Sequence, residues 1–179
     1  MDPVPEIVAQ WAQERPELDA SPLLVIGRLQ YLAERLDALM RPPFAARGLG
    51  NGDFDVLAAL RRAGAPYQLR PTDLSKSLLV TTGAITKRLD RLEDQGLLAR
   101  EAEGSDGRGK VTRLTAAGLA LANELIEVHL ANQERLLAGL SARERTDLAR
   151  LLDRFAHSLT AGALQSRLSA GQSNWRGAI

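Results

Sequence analysis

The chain has 179 residues, of which 45% are apolar and 25% charged, with a formal net charge of +1, so it can bury an ordinary core but carries no general polyanion-binding surface. It has no cysteine, which excludes disulfides and thiol-based sensing. No window approaches the roughly 20 apolar residues of a membrane span, and MDPVPEIVAQ lacks the basic and apolar regions of a signal peptide, so a cytoplasmic location is the expectation.

Residues 3 to 14, PVPEIVAQWAQE, read as a short amphipathic helix with Val4, Ile7, Val8 and Trp11 on one side. Isolated helices shorter than about 12 to 15 residues are marginal in water, so this arm must pack on the body. After the turn RPELD, Ser21 is expected to cap a long helix with Pro22 at its first position. Val25, Leu29, Leu32, Leu36, Leu39 and Met40 keep helical spacing up to a stop at Pro42 and Pro43. No helix of equal length follows until residue 116, which suggests packing against a second copy. GLGNGDFDVLAALRRAG is then a third helix between glycine-rich turns, with Phe54, Val56, Leu57 and Leu60 mostly inward.

The segment from Leu69 to Thr115 organises the rest and reads as a winged helix-turn-helix. PTDLSKSL is a short helix started by Pro71 and Thr72, and in the turn LLVTTGA either Thr81 or Thr82 is placed to cap the next helix. That helix runs to about Gln95, with Ile85, Leu89 and Leu92 as one buried stripe and Gly96 as its left-handed stop. Away from the stripe lie Gly83, Lys87, Asp90 and Asp94, flanked by Thr82, Thr86 and Arg91. A small, hydroxylated and basic N-terminal half suits a helix entering a DNA groove, whereas Asp90, Glu93 and Asp94 would be repelled by phosphate. Only the first two turns are therefore expected to enter.

LLAREAEG, SDGRGK and VTRLT then form a hairpin whose glycine-rich tip presents Arg108 and Lys110 to the minor groove and backbone. Beyond it, Ala116 to Leu137 is a long helix, and Ser141 caps a last one in which Leu148, Leu151, Leu152, Phe155 and Leu159 share a face. The fold class is mainly α with a small β-hairpin wing. Residues 1–19 form an N-terminal arm helix, 20–64 and 116–162 the dimerisation helices, 65–115 the DNA-binding region and 163–179 a loose tail.

TTGAITKRLDRLEDQGLLAR, with Asp106, Arg108 and the run Val111, Leu114, Thr115, Gly118, resembles the MarR family of transcription regulators. In the family the wing usually carries Asp-Arg-Arg; here Gly107 replaces the first arginine, which weakens the wing's charge. The resemblance implies a symmetric homodimer that sets two recognition helices about one DNA turn, ~34 Å, apart on a palindromic operator. The arm with WAQERPELD and the stretch GDFDVLAALRRAGAPYQLRPTDL are closest to the urate-responsive, PecS-like branch. That likeness implies a urate site at Trp11, Asp55, Arg88 and Arg100. The chemistry is consistent: urate is a planar anion that guanidinium forks can neutralise, a carboxylate can bond through its N–H, and an indole can cover.

Other patterns fail. GSDGRGKV nearly fits a phosphate-binding loop, but Val111 lacks the required hydroxyl and a strand pattern follows where that motif needs a helix. His129 and His157 are isolated, and no nucleophile with its base stands out, so neither a metal, a cofactor nor an enzyme activity is expected. Two other readings remain open: a regulator answering phenolic or aromatic acids, and a winged-helix protein-interaction module without an operator.

Overall fold

A computed structural model describes residues 1–50, 52–78, 82–103 and 109–170, with the backbone alone for 82, 102, 103, 109 and 161–170. The elements are α1 (Val4–Glu14), α2 (Leu23–Met40), α3 (Pro42–Ala45), α4 (Asp53–Arg62), β1 (Gln68–Leu69), α5 (Pro71–Leu78), α6 (Thr82–Asp94), β2 (Leu98–Glu103), β3 (Gly109–Leu114), α7 (Ala116–Leu136) and α8 (Ala142–Ala170). The chain divides into two compact units, Met1–Asn132 and Gln133–Ile179.

In the first unit, α4, α5, α6, the sheet and the start of α7 enclose one core. Leu57, Leu60, Leu74, Ile85, Leu92 and Leu125 are its largest fully buried apolar side chains. Burying Ile85, Leu89 and Leu92 contributes about 2 kcal/mol each, several times the few tenths that a surface ion pair adds to a helix. The apolar stripe, not the charged face, therefore holds α6 in place. Its end is as expected: Gly96 takes φ +67° and its N–H bonds the Glu93 carbonyl at 2.8 Å.

The sheet differs from a bare hairpin. β2 and β3 pair antiparallel, with Arg100 opposite Thr112, and β1 adds to the other side of β3, giving the order β1-β3-β2. Two residues are too short to show an alternating pattern, which is why the sequence does not announce β1.

The Leu-Thr-x-x-Gly run at the end of β3 has a steric explanation. Thr115 Oγ1 donates to the Gly96 carbonyl at 2.8 Å and accepts from the Gly118 N–H at 3.0 Å, so it caps α7 while tying it to the end of α6. A Cβ on Gly118 would collide with the Leu97 carbonyl oxygen and stand 2.8 Å from Leu97 C. Only glycine lets α7 start this close to the chain entering β2.

At the other end of the unit, Val4 is buried and lies 3.4 Å from where a Cβ on Gly27 would stand, while Tyr31 Oη donates to the Met1 carbonyl at 3.0 Å. The arm packs on α2 as expected, but Ile7 and Trp11 remain exposed. Ser21 is not the cap of α2. Its N–H and Oγ both donate to Asp19, at 2.9 and 3.0 Å, which holds the Asp19 carboxyl below its ordinary pKa, and α2 begins at Leu23 without a side-chain cap. Pro42 and Pro43 end α2 but also open the four-residue α3, since proline suits a first helical turn.

In the second unit, Ser141 caps α8 reciprocally. Its N–H donates to Glu144 Oε2 at 2.8 Å and Glu144's N–H donates to Ser141 Oγ at 3.3 Å. The Ser141 hydroxyl, then its N–H, keep the Glu144 carboxyl below its usual range. α8 continues to Ala170, so residues 163–170, expected as tail, are helical; 171–179 lie outside the described residues. No helix among the described residues is long and apolar enough to cross a membrane.

Candidate nucleic-acid interface and ligand cavity

Opposite its buried stripe, α6 exposes Gly83, Thr86 and Lys87. A Cβ on Gly83 would meet nothing within 4 Å, so this side of the first two turns is open. Lys110 is exposed at the start of β3, in register with Ala102. The Thr82 side chain and Arg108, both expected at the interface, lie outside the described residues, as does Thr81.

Arg91 was expected on phosphate but is engaged inside the subunit. Its Nε donates to Asp53 Oδ2 at 2.7 Å and its Nη2 to Asp53 Oδ1, forming a two-pronged pair with a carboxylate that is fully buried. Hydrogen bonding to Asp53 raises the Arg91 pKa further above its already high value. The Gly50 N–H supplies a further bond to Asp53 Oδ2, at 2.7 Å. Sequence reasoning passed over Asp53, although a signal was present: Asp53, Leu57 and Leu60 stand at i, i+4 and i+7, so an acidic residue sits on the inward stripe of α4. A buried carboxylate there requires a partner.

Beside this pair is a cavity of about 170 Å³ lined by Asp37, Arg41, Phe44, Gly50, Gly52, Phe54, Asp55 and His129, with Met40. Phe44 and Phe54 stack with centroids 4.3 Å apart, and the His129 ring lies 5.0 Å from Phe54. Arg41 pairs with Asp37. The half-buried Arg88 lies against Gly52, where a Cβ would come within 2.6 Å of its Nη2. Gly52 also has φ +78°, so both conformation and space call for glycine there.

Of the four residues expected to hold a ligand, the structure places Asp55 in the lining of this cavity and Arg88 against Gly52, one of the lining residues. Trp11 instead borders a separate apolar hollow of about 240 Å³ with Leu18, Pro22 and Leu23. Arg100 is held by acidic residues of α6: its Nη2 donates to Asp90 Oδ1 at 2.5 Å, and its Nε is 3.4 Å from Glu93 Oε2. That Nε is buried and makes no hydrogen bond among the described residues. Arg41, Phe44, Phe54 and His129 were not anticipated at the site; they come from segments separated in sequence, and no local pattern joins them. Among the described residues, no group of three or more His, Asp or Glu is placed to hold a metal.

The family model described as MarR family matches residues 47–109. The chain is 40% identical over 151 residues to the HTH-type transcriptional regulator PecS of Dickeya dadantii, covering 84% of this chain and 91% of that protein. Its fold matches a crystal structure of an E. coli MarR variant complexed with operator DNA, at a TM-score of 0.65 and 27% identity over 81% of this chain and 96% of that one. It also matches Bordetella bronchiseptica BpsR, described as regulated in DNA binding by 6-hydroxynicotinic acid, at a TM-score of 0.64 and 26% identity over 73% and 92%. These relatives are regulators rather than enzymes, and the chain belongs to the MarR family of DNA-binding transcriptional regulators, on its PecS-like branch.

Proposed function

We propose that the protein is a homodimeric repressor whose operator binding is attenuated by a small planar anion, urate or a related purine. The observation that carries the DNA reading is the open face of α6, with Thr86 and Lys87 exposed opposite the buried stripe and Lys110 on the wing. Thr82, Thr86 and Lys87 contact the major groove, and Arg108 with Lys110 the minor groove and backbone. Arg91 is left out of this set because Asp53 holds it.

The dimer reading rests on two apolar faces, each in its own unit. α2 buries none of its residues, and Val25, Leu32 and Leu39 are 57%, 49% and 52% exposed. On α8, Leu148, Leu151, Leu152 and Leu159 are exposed. A soluble chain rarely leaves such contiguous apolar surface uncovered, and a second copy would cover both.

Replacing Lys87 by Ala tests the DNA reading. Operator affinity should fall and the log–log salt slope should become shallower by about 0.9, one phosphate contact. An unchanged slope and affinity would remove Lys87 from the interface, and loss of any duplex binding by the wild type would favour a protein-interaction module.

The ligand reading rests on Arg41 and Asp55 beside the stacked phenylalanines, with Arg88 against the lining residue Gly52. At about 170 Å³ the cavity is smaller than drug-sized sites of roughly 300–1,000 Å³, which suits one or two fused rings. Calorimetry should show urate binding to the wild type and at least a tenfold weaker association with Arg88→Ala, about 1.4 kcal/mol. No heat with the wild type, alongside normal DNA binding, would reject urate. A response to hydroxynicotinate instead would support an aromatic acid, the compound class named for the BpsR relative.

A further inference from the structure

Three side chains, Arg88 and Arg91 on one face of α6 and Gln95 just past its end, reach the glycine-rich turn and the first residue of α4. Arg88 lies on Gly52, Arg91 grips Asp53, and Gln95 Nε2 donates to the Gly48 carbonyl at 3.1 Å. Their spacing, i, i+3 and i+7, makes this a continuous stripe beside the buried one rather than three separate contacts. The turn fits them closely: a Cβ on Gly50 would stand 2.8 Å from Arg91 Nη2 and 2.9 Å from its Cζ, so the guanidinium occupies the space a side chain there would need. Gly50 and Gly52 also line the cavity. The same few residues thus face the cavity and carry the clamp on α6.

We propose that Asp53, Arg91 and Gln95 are positioning residues for DNA recognition, fixing through this glycine turn how α6 is presented to the duplex. The turn is also the route by which the cavity's occupant changes that presentation, a part that rests on the ligand reading above. The apolar stripe of Ile85, Leu89 and Leu92 holds α6 on the core but supplies no directional bond that fixes its rotation about its own axis. The two-pronged pair with Asp53 is directional and supplies one. Asp53 is fully buried, so any effect it has on operator affinity must act through Arg91 and the turn.

A double-mutant cycle decides this without any ligand. Asp53→Asn, Arg91→Gln and the double variant are measured on a duplex selected from random sequence by the wild type, at a temperature where circular dichroism shows each one folded. Each single change should weaken binding about threefold to thirtyfold. The double variant should be no weaker than the worse single, because both remove one link. The salt slope should stay at the wild-type value in all three. Additive losses with the slope reduced by about 0.9 in Arg91→Gln would show that Arg91 touches a phosphate directly and would overturn the proposal. Wild-type affinity in folded Asp53→Asn would overturn it too.

Gln95→Ala, an exposed change that leaves the core intact, covers the case in which a variant of the buried pair fails to fold. It should also weaken duplex binding at unchanged salt slope, and wild-type affinity there would count against the clamp. With urate as probe, Gln95→Ala should keep the wild-type heat of binding while urate's effect on duplex affinity shrinks. If the wild type gives no urate heat, the ligand reading falls, and the ligand-free cycle still decides the role of the clamp.

Discussion

Replacing Arg91 with alanine is expected to destabilise the subunit by about 3 kcal/mol, because it strands the Asp53 carboxylate in the interior. Asp53 has no exposure of its own and would keep, among the described residues, the Gly50 N–H as a protein donor. The expected loss sits at the low end for broken buried pairs, since Arg91 is itself 43% exposed and its removal admits water from that side. The sign of the double variant identifies the cause. Adding Asp53→Asn to Arg91→Ala removes the stranded charge and should recover stability, whereas two independent packing defects would add. Reversible urea unfolding measures both. A loss below about 1 kcal/mol for Arg91→Ala would mean that Asp53 behaves like a surface carboxylate.

Gly118→Ala is expected to have a comparable effect by a different route, about 3 kcal/mol, the upper end for overpacking, with a melting midpoint lower by about 10 °C. The added methyl collides with the Leu97 backbone, which cannot rotate away as a side-chain tip would, and Leu114 Cδ2 at 3.3 Å closes another direction. α7 must back off, stretching the Thr115 N–H bond to the Leu97 carbonyl, now 3.2 Å, and the Thr115 hydroxyl bond to Gly96. Gly139→Ala is the control: a Cβ there meets nothing within 4 Å, and its melting midpoint should stay near that of the wild type.

The parts of the molecule readable in the sequence are those in which one period decides the outcome. Ile85, Leu89 and Leu92 announce α6 because a 3.6-residue repeat has one inward face, and Gly96 announces its end because few other residues accept the left-handed conformation. Ser141 and Glu144 declare the start of α8 by their spacing. Ser21 misled because the same hydroxyl can bond a neighbouring turn, and Asp19 competes for it successfully. The site was harder to read than the fold. Asp55 lines the cavity and Arg88 lies against its Gly52, but Phe44, Phe54 and His129 are joined only by tertiary packing. Arg91 shows the limit most clearly: an arginine on the flank of a reading helix looks like a phosphate ligand until the buried acid beside it is known.

The short β1 has a mechanical implication. A finger of two strands attached along a single margin would be free to swing at its root. Here Gln68 and Leu69 stitch the opposite margin of β3 to the segment that runs directly into α5, so tilting the finger must drag the helical pair with it. Finger and helices form a single stiff tool, and whatever polymer they grasp must accommodate both at the same moment.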